Sequence, residues 1–366
     1  MLGLKIKQQQ IDISQIIIWS IGFLLIAGVL VGAASTLMEG KYSSKQWMDF
    51  VVFGMAQGAI YALIALGYTM VYGVLGLINF AHGEVFMSGA FSAYFLADFL
   101  NENRLAGMAF VETQRGELSF LESHPIMTLL AIALFAAFIS TVVAIVLEWI
   151  AYRPIRESPR LVKLITAIGA SFFLQYTFRG MFGSGVKVYP DFDILDGEIF
   201  GIEKILIIVF ISAILMLGLL YAFIQGTRTG RAIRAVSEDL ETATLMGVNV
   251  DRTIAITFGV GGFMAGIAGV LYALIFSQVN FFMGFVPGIK AFTAAVLGGI
   301  GNLPGAAIGG LFLGIFESVG PTLILEGLGI PAAHQLKDVI AFTLLVLVLI
   351  FRPTGILGER LATKRV

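Results

Sequence analysis

Between residues 16 and 37 the chain carries no charged side chain, and apolar runs of this kind recur along its length. A helix needs about 20 apolar residues to cross the hydrocarbon core of a bilayer, and it must satisfy its backbone hydrogen bonds internally. Runs at residues 16–37, 47–78, 84–100, 126–150, 164–182, 205–224, 253–276, 284–320 and 338–351 reach or approach that length. The expected fold is therefore all-α, a polytopic integral membrane protein of about ten transmembrane helices, broken or re-entrant segments included. With 58% of residues hydrophobic and 13% charged, the composition lies far from that of a soluble domain.

Residues 1–46 read as a polar segment carrying Lys5 and Lys7, followed by an accessory transmembrane helix. A signal peptide is the competing reading, but its apolar core would span only about 7–15 residues. The run 47–78 contains Gly54, Gly58, Gly67, Gly73 and Gly76 and reads as one span continuing into a broken or re-entrant piece. Residues 101–124 read as a soluble loop. The cluster Arg153, Arg156, Arg160 and Lys163, the group Arg228, Arg231, Arg234 and Arg252, and the basic tail 359–366 mark cytoplasmic segments under the positive-inside rule. The acidic loop with Asp191, Asp193, Asp196 and Glu198 falls outside. This arrangement predicts a multi-pass protein of the plasma (inner) membrane with both termini cytoplasmic.

Several chemistries are excluded by what the chain lacks. It has no Cys and only three His, at 82, 124 and 334, so thiolate catalysis is impossible and a metal site unexpected. HExxH and GxSxG are missing, which leaves an intramembrane hydrolase without a nucleophile or metal. No GxxxxGK[ST] occurs, so any ATP-driven step belongs to another chain. Lys plus Arg number 23 against 24 Asp plus Glu, and no nucleic-acid partner is expected; the lipid bilayer is.

The longest polar island is residues 226–252. Ser237 followed by Glu238, Asp239 and Glu241 predicts a helix start, since a Ser cap and first-turn acids suit a helix N-terminus. Gly247 predicts its end. Leu240, Ala243 and Met246 share one face of that short helix. Two readings follow: an amphipathic linker lying on the bilayer, or a lever that docks into a cytoplasmic partner.

Three intramembrane segments stand out. Asn79, His82 and Glu84 sit at the junction of two apolar runs, where polar groups are costly and point to function; the alternative is a capping Asn, a His bonded to a carbonyl and a first-turn Glu near the inner surface. Gly262 and Gly266 form a GxxxG pair, which lets helix backbones approach closely. Gly299, Asn302 and Pro304 fall in a glycine-rich hinge at 298–305, whose freed backbone groups must be buried in protein or line a cavity. Val74-Leu-Gly…Asn79 and Val296-Leu-Gly…Asn302 hint at an internal repeat, a common basis of transporter architecture.

Together, GLINFAHGE, GRAIRAVSEDLETATLMGVNVDRTIA, GIKAFTAAVLGGIGNLPGAAIGG and DVIAFTLLVLVLIFRPTGILG resemble the permease subunits of ABC importers for branched-chain amino acids, in order, over residues 47–358. The resemblance implies a non-enzymatic permease domain at 47–358, with a cytoplasmic coupling loop at 225–252. Glu238, Asp239, Leu240, Glu241, Ala243, Met246 and Gly247 would form the coupling helix that sits in an ATPase groove. Asn79, His82, Glu84, Gly299, Asn302 and Pro304 fall in signature segments and are candidates for the translocation path or gate. It also implies a second homologous permease, two cytoplasmic ABC ATPase subunits that bind ATP-Mg, and an extracytoplasmic solute-binding protein; this chain itself would bind no cofactor. A path with few buried charges suits leucine, isoleucine or valine. Urea or a short amide is the near alternative substrate. The rival of another class is a secondary transporter coupled to protons through His82 and Glu84; paired intramembrane carboxylates would favour it, and none lie close in sequence.

Overall fold

The computed structural model describes residues 13–352 and 354–358; the start of the N-terminal polar segment and the basic tail 359–366 lie outside the described residues. The chain opens with α1 (Ile13–Glu39) and α2 (Ser44–Leu75), and α3 (His82–Glu102) leads into a hairpin of β1 (Asn103–Ala106) and β2 (Ala109–Glu112). A short turn α4 (Phe120–Ser123) precedes α5 (Pro125–Leu147), which runs on into a π-helical turn, Glu148–Tyr152. There follow α6 (Arg160–Phe182), α7 (Lys204–Gly226), α8 (Arg228–Glu238), α9 (Leu240–Leu245), α10 (Val250–Phe276), α11 (Phe285–Gly298), α12 (Leu303–Gly320) and α13 (Lys337–Phe351). Among the described residues, eight helices are long and apolar enough to cross a membrane, and α11 is a shorter apolar one. α3, with 21 residues, is about 31 Å long at 1.5 Å per residue, and it joins the bundle as a more polar helix. The all-α polytopic expectation therefore holds; the segment 101–124, expected as a soluble loop, contains a hairpin and a helical turn.

α2 and α10 are buried over most of their length, and α1 and α13 over almost none. Small residues set that centre. A Cβ on Gly58 would stand 2.8 Å from the Gly310 carbonyl oxygen of α12, and one on Gly266 would stand 2.5 Å from the Ala136 carbonyl oxygen of α5. Gly262 meets the Ser140 carbonyl in the same way, at 2.6 Å. The GxxxG pair thus serves close packing of α10 on α5, since only glycine lets backbones meet at such distances.

One expectation is corrected. The run 47–78 does not break among its glycines: α2 is a single helix of 32 residues. A capping box starts it, with Ser43 accepting from the Gln46 N–H and the Gln46 side chain accepting from the Ser43 N–H. Gly54 and Gly58 face α12, and Gly67 faces the His82 ring, so these glycines are spent on packing and only Gly76, at φ +62°, ends the helix. The chain then folds back along α2, placing the first residue of α3 against Gly67, two turns before the end of α2.

Candidate functional site

The polar island folds differently in detail from the sequence expectation. Thr227 caps α8 by accepting from the Gly230 N–H at 2.9 Å, and α8 buries Gly230, Ile233 and Val236. Ser237 lies inside α8, its hydroxyl bonded back to the Arg234 carbonyl at 2.8 Å. The backbone turns extended at Asp239, which caps α9 by accepting from the Thr242 N–H at 2.9 Å. Glu238 therefore ends α8, and Leu240 and Glu241 open α9. Asp239 rather than the expected Ser237 is the cap, because the buried positions of α8 hold Ser237 in the helix. Gly247, at φ +84°, follows α9 as expected. Asn249 then caps α10 by accepting from the Arg252 N–H.

The face expected to carry Leu240, Ala243 and Met246 together is split. Ala243 is 4% exposed and packs inward, whereas Met246 is 81% and Leu245 87% exposed, and Leu240 is exposed as well. A short helix of 6 residues and the residue that follows it so present three large apolar side chains, Leu240, Leu245 and Met246, to their surroundings.

The junction after α2 separates its three polar residues. The Tyr152 hydroxyl donates to Asn79 Oδ1 at 2.5 Å, so Asn79 does not cap α3; the residue before α3, Ala81, makes no side-chain cap. The His82 ring stands edge-on to Tyr68 with centroids 5.0 Å apart, and its Nε2 has no hydrogen-bond partner. Glu84 lies in the first turn of α3 and is buried; Gln175 Nε2 donates to its Oε1 at 2.6 Å and Ser171 Oγ at 3.3 Å, both from α6, while Oε2 is unpartnered. The start of α3 also meets the start of α11, where a Cβ on Gly83 would lie 2.5 Å from the Gly284 carbonyl oxygen.

The glycine-rich hinge joins α11 to α12. Gly299 has φ +107° and closes α11; Asn302 caps α12 by accepting from the Gly305 N–H at 2.9 Å; Pro304 lies in the first turn, where a missing N–H costs nothing. The freed carbonyls of Leu297 and Gly298 accept from the Ile356 and Leu357 N–H groups at 2.8 and 3.0 Å, and Asn302 Nδ2 donates to the Leu357 carbonyl. The two ends proposed as repeats share a positive-φ glycine and a following Asn, but only Asn302 acts as a cap.

The family of branched-chain amino acid transport system permease components matches residues 50–349. The chain belongs to this family. It is 42% identical over 322 residues to the high-affinity branched-chain amino acid transport system permease protein BraD of Pseudomonas aeruginosa, covering 86% of this chain and 96% of BraD. It is 41% identical over 316 residues to the permease protein LivH of Escherichia coli K12, covering 84% and 94%. A probable permease LivM of Methanocaldococcus jannaschii is 25% identical over 332 residues, covering 86% of this chain and 94% of LivM. No solved structure matches the chain.

Two polar clusters of this permease escape a reading by spacing. In one, Glu148 is buried in the π-helical turn and bound by Arg156, which also donates to Asp251 Oδ1 at 2.5 Å. In the other, Lys290 Nζ lies 2.6 Å from both Glu317 Oε1 and Asp338 Oδ1, and Gln57 Nε2 donates to Glu317 Oε1 at 3.2 Å. Glu84, Glu148, Lys290 and Glu317 are all buried. Each is an ionisable residue in an apolar run, which was the available signal. Gln57 precedes Gly73 by sixteen residues, and a Cβ on Gly73 would lie 3.5 Å from the Ser237 side chain; the Lys290 cluster is therefore about 24 Å along α2 from the α8–α9 face. A cavity of about 350 Å³ at the α10 C-terminal end is lined by Asp191, Asp196, Glu198 and Glu203 among others.

Proposed function

We propose that this permease is the membrane-spanning subunit of an ABC importer for leucine, isoleucine and valine, driven by separate ATPase subunits. The observation that carries the reading is the identity along 86% of the chain to a permease named for high-affinity branched-chain amino acid transport. It pairs with a second homologous permease, two cytoplasmic ATPases that bind ATP-Mg, and an extracytoplasmic solute-binding protein. Residues 47–358 make up the permease unit, residues 1–46 an accessory segment and residues 359–366 a cytoplasmic tail in the inner membrane.

The α8–α9 face is cytoplasmic in this reading. Its support is that Arg156, from one basic cluster, meets Asp251 beside the other, so both lie on one face, as the positive-inside rule requires. Residues 225–252 form the coupling loop, with Glu238, Asp239, Leu240, Glu241, Met246 and Gly247 on or beside the docking turn, and Ala243 holding it to α8 and α10 from within. Leu245 joins the docking set because of its exposure. ATP-driven closure of the partner moves α9, and the bundle responds as a population shift whose two states the partner contacts differently. Asn79, His82, Glu84, Gly299, Asn302 and Pro304 occupy the two turns able to change the path.

The test is uptake of labelled leucine by proteoliposomes holding the complete complex, with binding protein outside and ATP inside. Uptake that requires ATP and survives an uncoupler supports the reading. Uptake that ignores ATP and stops with the uncoupler refutes it.

A further inference from the structure

The polar groups nearest the coupling loop form a continuous line into the bundle. Asp251 lies in the first turn of α10, two residues after the cap that follows α9. Its carboxylate accepts from Arg156 Nη1 at 2.5 Å, and Arg156 Nη2 donates to Glu148 Oε1. Arg153 reaches the other oxygen of Glu148 at 3.5 Å. Glu148 opens the π-helical turn and Tyr152 closes it. Tyr152 donates to Asn79 in the junction between α2 and α3, and its ring lies 5.4 Å from that of Phe258, two turns along α10 from Asp251.

Three features set this line apart from ordinary surface ion pairs, which contribute little. Glu148 and Tyr152 are fully buried, and the Arg156 side chain is only 17% exposed. The centre of the line is a π-helical turn, a form that recurs at functional sites and stores a local change of helical register. Its ends are the two segments that the transport cycle must connect, the loop that an ATPase moves and the junction that folds back into the bundle.

We infer that Arg156 and Tyr152 are positioning residues that tie the movement of α9 and the α10 N-terminus to the junction at Asn79, with the π-helical turn as the yielding element. This rests on the functional reading above. Movement of α10 at Asp251 pulls Arg156, which acts on Glu148 at one end of the turn, and Tyr152 at the other end carries Asn79 with it. Without the line, the ATPase still binds and hydrolyses ATP, but the junction no longer follows.

Arg156→Ala would strip a buried carboxylate of its nearer partner and damage folding, so the test uses Asp251→Asn at the exposed end and Tyr152→Phe at the inner end. In proteoliposomes of the complete complex, leucine imported per ATP hydrolysed is measured for each variant and for the pair together, with Asp251→Glu as the conservative replacement. A coupling contact of ordinary strength gives at least about a fivefold loss of that ratio for each single variant. Because both cut one line, the double variant is no worse than the more severe single one, and Asp251→Glu recovers most of the ratio. An unchanged ratio in either single variant, or a double variant whose loss is the product of the two, overturns the inference. A wild-type complex that shows no ATP-dependent leucine uptake refutes the functional reading itself and this inference with it.

Discussion

Lys290 Nζ stands 2.6 Å from Glu317 Oε1, which joins α11 to α12 far from the α8–α9 face through two side chains that are each under 5% exposed. Asp338 extends the link to α13, and Gln57 to α2. Removing one member of a buried ion pair leaves the other uncompensated, at roughly 3–5 kcal/mol, whereas replacing both by apolar residues of similar volume is often neutral. Lys290→Met should therefore lower the thermal stability of the detergent-purified permease sharply. Lys290→Met combined with Glu317→Met should recover most of the loss. Equal damage in the single and double variants would show that the pair is not the unit of stability.

The packing of α10 on α5 gives a second prediction. A Cβ on Gly266 would meet the Ala136 carbonyl oxygen at 2.5 Å, whereas Gly218, exposed on α7, has nothing within 4 Å. Gly266→Ala should push the helices apart at about 1–3 kcal/mol and reduce the folded fraction seen by size-exclusion chromatography after mild heating. Gly218→Ala should be neutral or slightly stabilising. Equal behaviour of the two variants would contradict the close-approach assignment.

These cases also mark how far the sequence could be read. The spans were legible because bilayer length leaves few alternatives for an uncharged run, and the Gly262/Gly266 contact because its spacing is local. The continuity of α2 was not legible: five glycines look like breaks until α12 and the His82 ring are seen to fill the spaces beside Gly54, Gly58 and Gly67. In the polar island 226–252, Ser237 was the legible cap, and only the packing of Ile233 and Val236 beneath α8 moves the cap to Asp239. The Lys290 cluster depends on partners 27 residues apart and more, which no local pattern reveals. Asn79 was legible as a polar residue in a costly place, but its partner Tyr152, 73 residues away, was not.

The orientation of the bundle is open to direct test, because the chain has no Cys and introduced thiols label without background. Thr242, in α9, and Gln114, just past β2, are both exposed. In intact cells, Thr242→Cys should be shielded from an impermeant thiol reagent and Gln114→Cys should react. The opposite pattern would place the α8–α9 face outside.

Docking of an ATPase on α9 is the central claim, and the split between inward Ala243 and outward Leu245 and Met246 makes it testable at single side chains. Ala243→Glu buries a charge inside the permease itself and should reduce membrane abundance before any question of docking arises. Leu245→Ser with Met246→Ser alters only exposed surface, so the variant should reach normal abundance. The decisive measurement is the amount of ATPase co-purified with this double variant at equal membrane levels. The account predicts at least about a tenfold loss of retained ATPase, the effect of removing some 1.4 kcal/mol from the contact, together with loss of ATP-driven leucine uptake. A full complement of ATPase on the double variant would contradict it.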